Sequence, residues 1–159
     1  MNNIATETIQ RKIHIPYISL KMIRESSQGY ELSSRQVRSP ESAYRIFQQF
    51  GMDEEPEEVM VMIALDTKCK PTGIFEVSRG ELSASIAHPR EIYKRALLAN
   101  AANIIIAHNH PSGDPAPSQD DIDITKRISE AGKILGIKLH DHLIIGDDCY
   151  GSLREQGLF

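Results

Sequence analysis

The seven residues Val59–Leu65, Val-Met-Val-Met-Ile-Ala-Leu, contain no polar side chain. A run of that length without polar alternation reads as a strand buried in a sheet. Asn103–Ala107, built on three consecutive isoleucines, repeats the signal, and Ile137–Ile145 predicts a further strand. Gly73–Val77 is a hairpin partner for the first run across a turn in Asp66–Thr72, and Leu82–Ala87 reads as a third strand. Ile13–Arg24, rich in β-formers but interrupted by Pro16, suggests an edge strand followed by a polar connection. Helix starts are marked by Ser39-Pro40, by His88-Pro89 and by Ser118, and Gly51 and Gly136 mark two ends. Helices and strands alternate over the second half, so the expected class is α/β or α+β with a mixed sheet.

A chain of 159 residues with 40% apolar and 25% charged residues has the size and composition of one globular domain with a real core. No apolar stretch approaches the ~18 residues that span a bilayer. The N-terminus lacks the basic-then-apolar pattern of a secretion signal. The expectation is a cytoplasmic protein with no membrane partner, in which Cys69 and Cys149 are free thiols. The net charge of -4 argues against wrapping nucleic acid through the whole surface. Five acidic residues crowd Asp53–Glu58, a pattern that reads as a solvated loop, with Glu58 set apart below.

Chemistry concentrates in Ala107–Asp121. At the end of a strand, His108 and His110 stand at i and i+2, which points both imidazoles to one side. Two neutral imidazoles on one face can bind a zinc ion. The loop Pro111–Pro117, with three prolines and a glycine, gives a stiff return for a third ligand from the first turn of the next helix. Asp121 is the residue chosen, with a water as fourth ligand, because three protein ligands and an open position make a catalytic zinc site. The competing reading is that Asp121 merely completes a capping box with Ser118. Two histidines and one carboxylate also suit a mononuclear iron site.

His108-x-His110, Ser118 eight residues later and Asp121 three beyond that resemble the JAMM motif of the MPN (JAB) metalloprotease superfamily. The longer string His-Asn-His-Pro-Ser-Gly-Asp-Pro-Ala-Pro-Ser, with His88-Pro89-Arg90-Glu91 and Asp141-His142-Leu143-Ile144-Ile145-Gly146, is similar to the RadC branch in particular. The resemblance covers residues 36–159 and leaves residues 1–35 as an added strand and connection, without the helix-hairpin-helix type segment that some RadC-like proteins carry. It implies an MPN/JAB-like (cytidine deaminase-like) mixed sheet flanked by helices. It also implies zinc on His108, His110 and Asp121, a peptide or protein substrate, and Ser118 stabilising the oxyanion. A glutamate at the start of the first core strand would act as general base, and Glu58 matches that position. Glu57 is the rival, and a one-residue shift would turn its side chain to the other face.

The function expected is therefore a zinc metallopeptidase for peptide or isopeptide bonds. The alternative is a non-catalytic module associated with DNA repair or DNA-bound complexes, an association carried by the RadC name alone. A second pair, His140-Asp141-His142, has no proline-rich return loop and is read as structural or as a partner to the metal ligands.

Overall fold

A computed structural model of the chain describes residues 29–80 and 88–159, together with 15–17, 19 and 23. The strand expected at Leu82–Ala87 and most of that at Ile13–Arg24 lie outside the described residues.

Strand β1 (Val59–Leu65) is buried along its whole length. It has a strand on each side, and its alternate residues meet helices on both faces of the sheet. The others are β2 (Pro71–Arg79), β3 (Asn103–Asn109), β4 (Lys138–Ile145) and β5 (Tyr150–Ser152). Their order is β2-β1-β3-β4-β5, with β3 and β4 parallel and every other pair antiparallel. This is a mixed sheet flanked by helices, as the alternation of elements predicts. Met60, Met62, Ala64, Ile104, Ile106 and Leu139 pack against α2 (Pro89–Leu98) and α3 (Gln119–Leu135). Val59, Val61, Ile63, Leu65, Ile105 and Ala107 pack on α1 (Pro40–Gln49) through Ala43, Tyr44, Ile46 and Phe47. Each fully buried Ile or Phe of these layers contributes about 1.5–3 kcal/mol by leaving water.

Local signals set the helix ends. Ser39 and Ser42 form a capping box ahead of α1, and the His88 Nδ1 accepts the Arg90 N–H at the start of α2. Gly136, at φ 71°, ends α3 in the left-handed region that a side chain would strain. Helices α2 and α3 are tied by the Tyr93 hydroxyl, which donates to the Ile128 carbonyl at 2.8 Å. Gly132 makes that approach available, because a Cβ there would collide with the tyrosine oxygen.

Three details depart from the sequence reading. β2 extends beyond Gly73–Val77 at both ends and opens on Pro71, which is tolerated because β2 is an edge of the sheet among the described residues. β3 runs on past Ala107, so His108 lies inside the strand. The short β5, and a 3-10 turn at Met52–Glu54 within the acidic loop, carry no strong periodicity and were not expected. Among the described residues no helix is long and apolar enough to cross a membrane.

Candidate metal centre

The parallel β3–α3–β4 crossover brings the C-terminal end of β3 to the first turn of α3. His108 pairs with Met60 on one side and Ile144 on the other, and is only 1% exposed. His110 follows just past the strand, and its backbone N–H continues the pairing to the Ile145 carbonyl at 2.8 Å. Asp121 returns to the same point. The His108 Nε2 lies 3.1 Å from Asp121 Oδ1 and 3.0 Å from the His110 Nε2, and the His110 Nε2 lies 3.6 Å from Asp121 Oδ2. One ligand atom from each of the three falls within 4.8 Å of the others.

The donor set fits a cation. His110 Nδ1 is 2.8 Å from the Asp114 carbonyl oxygen. A carbonyl only accepts, so that nitrogen carries the hydrogen and Nε2 of the neutral ring is a bare lone pair. Burial pushes the Asp121 carboxyl up, but His108, His110 and Ser118 beside it outweigh burial and hold the group far below the usual carboxylate range. The Asp121 carboxylate in turn raises the His110 pKa. A carboxylate and an imidazole lone pair so close need a positive charge between them, either a proton or a metal ion.

Asp121 also caps its helix. Its Oδ2 accepts the Ser118 N–H at 2.7 Å and the Ser118 hydroxyl at 2.6 Å, while Oδ1 faces His108. The two readings of Asp121, cap and ligand, are thus compatible in one side chain. The Ser118 hydroxyl proton points at Asp121.

Glu58 immediately precedes β1 and is half-buried, whereas Glu57 is exposed. The β1–β3 ladder pairs Met60 with His108, so one interval further places Glu58 opposite His110 and on the same face. Glu57 falls on the other. The negative charge of Glu58 contributes to the raised His110 pKa. Asn109, which the sequence reading passed over, fixes this segment. Its Oδ1 accepts the Val59 N–H at 2.7 Å, and its Nδ2 donates to the Glu57 carbonyl at 2.9 Å and the Glu55 carbonyl at 3.2 Å. A buried amide between the two histidines at a strand end must find such partners, and that was the available signal. Against His110 and Asn109 lies a cavity of about 280 Å³ that Ser112, Asp53, Glu55 and Asp147 also line.

The family model described as RadC-like JAB domain matches residues 37–158. The chain belongs to this family. A UPF0758 protein of Clostridium beijerinckii is 53% identical to it over 107 residues, 67% of this chain and 47% of that protein. One of Methanosarcina mazei is 45% identical over 127 residues, 80% of this chain and 55% of that one. A third, from Shouchella clausii, is 42% identical over 163 residues, 96% of this chain and 69% of the relative. The chain spans about half the length of most of these curated relatives.

In this RadC-like JAB domain the second His-x-His does not form a second pair. The β3–β4 register shifts by one residue, from Ile104↔Leu139 to Ile105↔Asp141, and leaves His140 outside the ladder. His142 consequently faces the same layer as His108, and its Nε2 lies 2.8 Å from the His108 Nδ1. His142 is completely buried, and burial drives its pKa well below the usual histidine range. Its Nδ1 lies 2.6 Å from the Thr125 hydroxyl. Asp141 serves the fold instead. It accepts the His142 N–H at 2.8 Å, the Ser152 hydroxyl at 2.7 Å and the Arg154 N–H at 3.2 Å.

Proposed function

We propose that the chain is a zinc-dependent hydrolase of amide bonds, acting on a peptide or isopeptide link of a protein substrate. The observation that carries this reading is the convergence of the His108 and His110 Nε2 atoms with the Asp121 carboxylate at one strand end. Membership of the RadC-like JAB domain family supports it. Two imidazoles and one carboxylate make the three-residue ligand set of a catalytic zinc rather than the four-residue set of a structural one. When bound, zinc supplies an ionisable water with a pKa around 7 and polarises the scissile carbonyl.

The chain's own residues carry the protons. Glu58 takes the proton of the attacking water on its carboxylate and returns it to the leaving amine nitrogen. The Ser118 hydroxyl turns from Asp121 Oδ2, which keeps the Ser118 N–H, toward the carbonyl oxygen as charge develops there. His110 is held in its ligand tautomer by the Asp114 carbonyl. A cytoplasmic location, where free cysteines stay reduced, accords with this reading.

Elemental analysis of protein purified without a histidine tag tests the metal. Stoichiometric zinc is expected, and a folded protein that neither contains nor takes up zinc overturns the reading. Glu58→Gln is expected to retain zinc while turnover of a cleaved peptide, found by library screening, falls by about 10²–10⁴. Full activity, or loss of zinc, in that variant removes Glu58 from the role of base.

A further inference from the structure

We propose that the Thr125 hydroxyl, acting through His142, fixes the tautomer of His108 and so presents the His108 Nε2 lone pair to the metal. The inference rests on the metal-centre reading above and names the device that holds one of its ligands ready.

The relay follows from counting protons. The Thr125 Oγ1 lies 2.5 Å from the Asp121 carbonyl oxygen, which accepts and cannot donate. The single hydroxyl proton is therefore committed to that carbonyl, the usual back-bond of threonine to the residue four before it in a helix. Thr125 Oγ1 then meets the His142 Nδ1 as an acceptor, so Nδ1 carries the His142 proton. The neutral His142 ring has a bare Nε2, and at 2.8 Å this must accept from His108 Nδ1–H. That leaves the His108 Nε2 unprotonated and directed at Asp121 Oδ1 and the His110 Nε2. Every proton in the sequence points away from the place where the ion would sit.

Asp121 and Thr125 are one helical turn apart on the buried side of α3, at i and i+4. The helix that supplies the carboxylate thus also sets the imidazole tautomer, by way of β4. The register shift at His140 is part of the device, because it brings His142 into phase with Ile106 and onto the face of His108. Thr125 and His142 do not touch the metal position. They act as positioning residues through His108, in the manner of outer partners that fix a ligand's tautomer.

The test uses zinc affinity and tautomer state, and neither depends on turnover. Thr125→Val removes the oxygen at nearly constant volume. By competition with a chromophoric chelator it is expected to weaken zinc binding by about 10–100-fold, whereas Thr125→Ser, which keeps the hydroxyl, stays within about threefold of wild type. Two-bond proton–nitrogen NMR correlations on zinc-loaded wild-type protein are expected to show His142 protonated at Nδ1 and bare at Nε2. His142 protonated on Nε2, or Thr125→Val binding zinc as tightly as wild type, overturns the relay and leaves the metal centre standing. Wild-type protein that binds no zinc overturns both. If Thr125→Val does not fold, the wild-type tautomer decides the matter alone.

Discussion

His-x-His occurs twice in this chain, at the end of β3 and within β4, and the two copies have different fates. In the first, the ladder of β3 holds its phase through His108, so the alternate spacing delivers two rings to one face, and α3 returns a carboxylate to them. In the second, the register slips at His140. His142 is drawn inward beside His108, and the half-buried His140 stays beside Lys138 and Arg154, with its carbonyl accepting from the Arg154 guanidinium at 2.8 Å. Spacing of two selects a face only while the strand keeps phase, and a pair of ligands becomes a site only when another element brings the third.

The largest contrast is expected in metal binding. His108→Ala should lower zinc affinity by well beyond the ~10–100-fold typical of an outer partner. His140→Ala should leave it within about twofold, as read by chelator competition, and equal losses in the two variants would break the distinction drawn between the pairs. The middle residues differ next. Asn109→Ala strips the Val59 N–H of its partner and should cost about 1–3 kcal/mol in urea unfolding. By loosening the Glu58 segment it should also lower kcat by roughly 10–100-fold with zinc retained. Asp141→Ala orphans the Ser152 hydroxyl and the Arg154 N–H and should lose similar stability, but the folded fraction should keep its kcat. A kcat defect in Asp141→Ala at temperatures where it is fully folded would blur that line.

The smallest effect is one of sign. The folded pKa of His110 is raised by Asp121, so in metal-free protein its stabilisation is complete below the unfolded value near 6.5 and is lost as pH climbs through the folded value. His140 is lowered by burial and by Lys138 and Arg154, so its contribution is lost as pH falls below that same value. Thermal melts of the metal-free protein should therefore lose a few degrees on the alkaline side through His110 and on the acid side through His140. His110→Ala should flatten the alkaline limb, and His140→Ala should soften the acid limb while leaving the alkaline one as it is.

Much of the scaffold was legible because it is written locally. The all-apolar Val59–Leu65, the Ser39-Pro40 start and the Ser118 cap each need only a few neighbouring residues to be read, and each element forms where those signals place it. The grouping of His108, His110 and Asp121 was legible for the same reason, since a strand end, a stiff loop and a helix start are all local features. What escaped depends on pairing between distant segments. Asn109 meets Glu55, Glu57 and Val59 across fifty or more positions, and His142 meets His108 only after a slip between two strands. The interval from Asp121 to Thr125 was visible as one turn of one face, but what stands opposite that face was not.

Pro111, Pro115 and Pro117 sit in the loop that joins the two histidines to Asp121. Each fixes a backbone dihedral before folding begins, so the unfolded chain has fewer arrangements to surrender when the ligands gather. A chelate closed by such a loop has a fixed bite. Its three donors cannot spread into the six to eight oxygens that calcium requires, and its imidazoles suit softer ions better than magnesium. If the centre holds zinc as proposed, selectivity against the abundant cations of a cell would be a property of the loop's stiffness as much as of the ligands it connects.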